Sequence, residues 1–123
     1  MLDLSSDKSI YLQIAESIEN EILLGNLKEE EQAPSTNQFA KVYQINPATA
    51  GKGLNLLVDE GILYKKRGIG MFVADGARNK ILKKRQGAFF REVLPEIMLE
   101  AKRLEITTEE MISYIKGLEG GEN

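Results

Sequence analysis

A chain of 123 residues with 42% apolar and 28% charged side chains suits one globular domain, or a small domain with an appendage. It has no cysteine and no histidine, which removes disulfides, thiolate chemistry, most zinc sites and the histidine-based nucleophile systems. The net charge of −3 argues by itself against a nucleic-acid partner, yet residues 1–33 sum to −6, residues 34–85 to +7 and residues 86–123 to −4.

That middle zone is either a solvated charged surface or a nucleic-acid footprint. No apolar run reaches the length of a membrane span, and "MLDLSSDKS" does not read as a signal peptide, so a cytoplasmic protein is expected.

In "SIYLQIAESIENEILL", residues 9–24, Ile10, Ile14, Ile18 and Ile22 stand four apart. That spacing predicts one apolar helix face, and Gly25 is placed to stop the helix. "NLKEEEQA" reads as a polar loop with three solvated glutamates. "PSTNQFAKVYQ" reads as a second helix, with Ser35 as N-cap and Gln38 three residues on completing a capping box. Phe39, Ala40 and Tyr43 share a face there, and core packing is the expected role of both aromatics. "INPATAGKGLNLLVDEG" is a third helix with Asn46 as cap, Pro47 at the first helical position and Gly61 beyond its end. Leu54, Leu57 and Val58 form its inward face. Only "QIN" separates helices two and three, the spacing of a helix-turn-helix.

"ILYKKRGIGMFVA" reads as two strands around "RGIG", with Gly68 and Gly70 able to supply positive φ in a tight turn. The lone G-x-G is not followed by a helix or a lysine-serine pair, so a phosphate loop is rejected. From about residue 78 the pattern is helical again, with a kink or break expected at Pro95. "TTEEMISYIKGLEGG" opens on a capping pattern and predicts a last short helix, stopped by Gly117 or Gly120, with a fraying glycine-rich end.

Helix, helix, short turn, helix and hairpin make a winged helix-turn-helix. Over roughly residues 9–75 the chain resembles the N-terminal domain of GntR-type bacterial transcription regulators. The Pro-Ser pair, the Phe-Ala pair, the Asp-Glu-Gly after helix three and the Gly-x-Gly-x-Phe-Val wing carry the resemblance as a set. The short tail and the "INP" opening of helix three are similar to the YtrA-type subgroup. The expected fold class is therefore mainly α with a small β-hairpin: a winged helix-turn-helix at 1–76, then a helical two-helix dimerisation tail at 77–123. The subgroup resemblance implies a dimeric repressor of its own operon, in operons that often encode ABC transporters or other cell-envelope functions.

A recognition helix enters the major groove by its N-terminal end, which here offers Asn46, Ala48, Thr49 and Lys52, with free backbone N–H groups for a phosphate. Ser35, Thr36 and Asn37 begin helix two, and Ser35 is placed for a second phosphate. Lys65, Lys66, Arg67 and Gly68 form the wing tip, from which Arg67 can enter a narrow minor groove. Family members commonly carry arginine where this chain has Asn37, and a polar or basic residue where it has Gly51. Gly51 and Gly53 are read either as close approach of the helix backbone to DNA or as drift at exposed positions. The expected partner is double-stranded DNA with a near-palindromic operator, bound by a homodimer, with no cofactor or metal and with any small-molecule effector unnamed. The dimer surface is assigned to Leu82, Phe89, Phe90, Val93, Leu94, Ile97, Met98, Leu104, Met111, Ile112 and Ile115. The competing reading is a winged-helix protein-interaction module with weak or no specific DNA binding. An enzyme is disfavoured: Asp59 and Glu60 are adjacent carboxylates with no base near them in sequence.

Overall fold

A computed structural model describes residue 2 and residues 9–121. The N-terminal "MLDLSSDK" otherwise lies outside the described residues, as do the last two residues of the glycine-rich end. The chain divides into two compact units, residues 1–83 and 84–123.

In the first unit, α1 spans Ile10–Leu24 and buries Ile14, Ala15, Ile18, Glu19 and Ile22, so three of the four isoleucines spaced four apart are buried and Ile10 is half-buried. It ends where Gly25 turns left-handed at φ 83° and returns its N–H to the carbonyls of Glu21 and Ile22. α2 spans Thr36–Tyr43 and begins with both halves of the capping box. The Gln38 N–H donates to Ser35 Oγ at 3.0 Å, and the Ser35 N–H donates to Gln38 Oε1 at 2.8 Å. α3 spans Pro47–Asp59, with Asn46 Oδ1 accepting from the Ala48 N–H at 2.8 Å. Phe39 and Ala40 of α2 and Ala50, Gly53, Leu54 and Leu57 of α3 complete the three-helix core. Val58 packs against it half-buried. Tyr43 departs from its expected place: it is 38% exposed and stacks on Phe39, with ring centroids 4.6 Å apart.

β1 (Leu63–Lys66) and β2 (Gly70–Val73) form an antiparallel hairpin in the register Leu63 to Val73 and Lys66 to Gly70. Leu63 and Val73 are buried at its root. At its tip the Ile69 N–H donates to the Lys66 carbonyl at 2.9 Å, and Gly68 takes the φ of 76° that the third position of this turn needs.

The polar loop before α2 is not simply solvated. Residues 30–33 run beside β2 as a strap: the Glu30 N–H donates to the Val73 carbonyl, the Val73 N–H to the Glu31 carbonyl and the Ala33 N–H to the Met71 carbonyl, all at 2.8–2.9 Å. The three glutamates expected to face only solvent each accept hydrogen bonds. Glu29 accepts from the N–H groups of Gly76 (2.9 Å) and Arg78 (3.3 Å), Glu30 from the Tyr64 hydroxyl (2.6 Å), and Glu31 from the Lys28 N–H (2.6 Å). The two amides hold the Glu29 carboxyl below its ordinary pKa, because they favour the charged form. The Glu30 carboxylate, as the acceptor, pushes the Tyr64 hydroxyl up.

α4 spans Ala77–Ala88, and its Ala77 and Ile81 are fully buried in the core of the first unit. That unit accordingly continues to Lys83.

In the second unit the helix passes through a π-helical turn at Phe89–Val93 into α5 (Leu94–Arg103). The Leu94 N–H reaches back five residues to the Phe89 carbonyl. Pro95, which has no N–H and crowds the carbonyl four residues before it, directly follows this widened turn. α6 (Thr108–Glu119) starts with a second capping box, between Thr107 and Glu110, and runs through Gly117 to end at Gly120. Ala101 is the buried residue of α5, and α6 buries none.

Candidate nucleic-acid interface

The helical spacing of α3 sets its outward face. With Ala50, Gly53, Leu54 and Leu57 inside, Ala48, Lys52, Asn55 and Asp59 form the opposite stripe, and all four are exposed. Asn46 is exposed at the cap and Thr49 is half-buried beside it. The Asn46 Oδ1 is used by its own helix, so its amide N–H groups are the donors left for a partner.

The expectation of free N–H groups at this helix end is not met. Pro47 has none, the Ala48 N–H is capped by Asn46, and the N–H groups of Thr49 and Ala50 donate to the Asn46 carbonyl at 3.0 and 3.1 Å. At α2, Ser35 and Asn37 are exposed and Thr36 is half-buried. Ser35 Oγ accepts from Gln38, which leaves its O–H free to donate.

The wing divides by the alternation of a strand. Lys66 lies on the same face as Tyr64 and Phe72, with its ammonium 4.4 Å from the Phe72 ring centroid. Lys65 shares the other face with Met71, and Arg67 and Gly68 are exposed at the turn. The +7 zone also divides. Five of its ten basic residues, Arg78, Lys80, Lys83, Lys84 and Arg85, lie on α4 rather than on α3 or the wing. Arg78 Nε donates to the Leu23 carbonyl and Lys80 Nζ to the Gly61 carbonyl, each at 3.3 Å.

Gly53 is neither exposed nor facing outward. A Cβ there would lie 2.7 Å from the Tyr11 carbonyl oxygen and 2.9 Å from Ile14 Cγ2, so the close approach is to α1. Gly51 is half-buried, and a Cβ there would meet Thr36 at 3.6 Å, an ordinary contact.

Comparison with known proteins decides what this architecture belongs to. Residues 10–73 match the family described as bacterial regulatory proteins, gntR family. The chain is 34% identical to the HTH-type transcriptional regulator YhcF of Bacillus subtilis, over 94% of this chain and 95% of that protein. The chain belongs to the GntR family. It is also similar, at 26% identity over 94% of its length and 88% of the relative's, to the HTH-type transcriptional repressor YtrA of Bacillus subtilis. Among solved structures, a GntR-family transcriptional regulator from Bacteroides thetaiotaomicron is 33% identical and superposes with a TM-score of 0.78, covering 94% of this chain and 100% of that one.

This GntR-family chain is thus a winged helix-turn-helix transcription regulator and not an enzyme. Among the described residues no group of acidic side chains could hold a metal ion, and no helix is long and apolar enough to cross a membrane.

Sequence reasoning missed two residues at this face. Asn55 follows Lys52 by three and Ala48 by seven, a spacing that could have found it. Tyr11 stands 41 residues before Lys52 in the chain, yet the Lys52 ammonium lies 4.1 Å from its ring centroid, and no local pattern carries that pairing.

In the second unit the residues assigned to a dimer surface are largely open: Phe89, Phe90, Val93, Ile97, Leu104, Ile112 and Ile115 are each more than two-fifths exposed. Leu94, Met98 and Met111 are half-buried. Leu82, also half-buried, falls in the first unit.

Proposed function

We propose that this GntR-family regulator is a cytoplasmic homodimeric repressor of its own operon. It binds a near-palindromic operator with α3 in the major groove and the wing along the adjacent minor groove. The observation that carries the reading is the α3 stripe of Ala48, Lys52 and Asn55, which has an apolar, a cationic and an amide side chain on one exposed face. These are the chemistries that meet a thymine methyl, a phosphate or guanine, and an adenine edge. Asp59 closes the stripe, and its repulsion from phosphate tilts the C-terminal end of α3 out of the groove, leaving the first two turns inside. Ser35, Thr36 and Asn37 of α2, and Lys65, Lys66, Arg67 and Gly68 of the wing, supply backbone contacts on either side of α3.

The open apolar residues of the second unit support the dimer. A row of Phe, Val, Ile and Leu side chains this exposed is unusual for a surface that stays in water. A two-fold dimer gives the fixed second α3 that half-sites one helical turn apart require. The repressor role rests on the likeness to YtrA.

The test is selection of duplexes from sheared genomic DNA, followed by titration of the selected operator at several salt concentrations. Each neutralised phosphate should contribute about −0.9 to the slope of log K against log salt. A flat salt response, or no preference over random duplex, would replace this reading with the protein-interaction module.

A further inference from the structure

The geometry points to Tyr11, in the first turn of α1, as a positioning residue that holds Lys52 ready for a phosphate. The inference rests on the DNA-binding reading above. Lys52 is the only basic residue of α3, and glycines stand one residue to each side of it. The glycine at 53 lets the Tyr11 carbonyl come so near that a Cβ would be 2.7 Å from it. That approach seats the start of α1 against α3 and puts the Tyr11 ring beside Lys52, with Nζ 4.1 Å from the ring centroid.

A lysine stem is flexible, and fixing it in a complex costs entropy. The ring face attracts the ammonium by its quadrupole and limits the places the charge can occupy before DNA arrives. One side of the ammonium meets the ring. An ammonium has three donors, and with Lys52 exposed on the stripe of Ala48 and Asn55 those not facing the ring are left for a phosphate.

The experiment is a double-mutant cycle on the full chain, read as affinity for the selected operator. Tyr11→Leu is expected to weaken binding about two- to fivefold. Tyr11→Phe, which keeps the ring and loses only the hydroxyl, should restore affinity to within about twofold on the same scale. In a Lys52→Gln background, which itself should flatten the salt slope by about 0.9, Tyr11→Leu should have no further effect. Equal loss in both backgrounds would overturn the inference. So would a Tyr11→Phe loss as large as that of Tyr11→Leu, since the hydroxyl would then be making a contact of its own.

A measurement without DNA keeps the contact testable even where Tyr11→Leu fails to fold. The Lys52 Hε protons of the unaltered protein should show an upfield ring-current shift, and an unshifted resonance would overturn the inference alone. A protein that selects no duplex overturns the functional reading and with it the phosphate role of Lys52, whether or not the ring-current shift is present.

Discussion

Gly51 and Gly53 lie two residues apart on one helix, and replacing each by alanine should change stability in opposite directions. Alanine in a helix interior is favoured over glycine by about 1 kcal/mol, so both substitutions begin with the same gain. At Gly51 the new methyl meets only the Thr36 side chain, Cγ2 at 3.6 Å and Oγ1 at 3.9 Å, both ordinary contacts, and the gain should stand. At Gly53 it would lie 2.7 Å from the Tyr11 carbonyl oxygen, 2.9 Å from Ile14 Cγ2 and 3.0 Å from Ile14 Cβ. The oxygen is backbone and Ile14 is fully buried, so neither can swing aside and α1 must move as a body. Overpacking of this kind costs about 1–3 kcal/mol, and with three contacts in conflict the upper part of that range applies. The expected net effect of Gly53→Ala is a loss of about 1–2 kcal/mol, against a gain of about 1 kcal/mol for Gly51→Ala. Urea unfolding followed by circular dichroism, at one fixed protein concentration, should separate the two midpoints to either side of the unaltered chain. A Gly53→Ala chain as stable as the unaltered one would mean that α1 and α3 do not pack this closely.

At the wing, Arg67→Ala should weaken operator binding on the order of 1–3 kcal/mol while Lys28→Ala leaves it unchanged, as read by fluorescence anisotropy; equal affinities would remove the wing from the interface. A chain ending at Lys83 should fold, sediment as a monomer and lose preference for a two-half-site operator, whereas one ending at Ala77 should be markedly less stable because it lacks the fully buried Ile81. A Lys83-terminated chain that still dimerises would refute the assignment of the dimer to the tail. The Glu29 carboxyl has a folded-state pKa below its unfolded one, so its contribution is complete above the unfolded value and is lost as pH falls through the folded value. Thermal melts should therefore show Glu29→Gln less stable than the unaltered chain at pH 7, with the gap closing below about pH 4, and a gap that persists in acid would exclude the carboxylate as its cause.

What could be read from the sequence was local. The isoleucine spacing of α1, the Ser35 and Gln38 box, the Asn46 cap with Pro47, and the turn at Gly68 each rest on residues within a few positions of one another. The misses share the opposite property. Glu29 and Glu30 find partners 34 to 49 positions away, across the wing and at the start of α4, and nothing near them in the chain signals it. Gly53 looked like one of a pair because its partner, Tyr11, belongs to another helix. The basic zone counted charges that fold onto different elements. Ile81 fell in the tail by position, although its side chain completes the first core. At Pro95 the sequence announces an interruption but not its form: the helix continues through a π turn, which spares the chain a break.

The strap that runs along β2 makes the hairpin a ruler rather than a whip. A lone two-stranded ribbon is marginal in water, but this one is tied along β2 at Val73 and Met71 and clasped through Tyr64 to Glu30. Even the tip is held: Gln32 Nε2 of the strap donates to the Ile69 carbonyl at 3.1 Å, and the turn from Lys66 to Gly70 stands about 10 Å beyond the buried root at the usual rise of a strand. The offset between α3 and Arg67 is then a constant of the protein. On the proposed reading each half-site must match that offset, so one base pair inserted between the major-groove and minor-groove contacts should cost more affinity than a base change at either end.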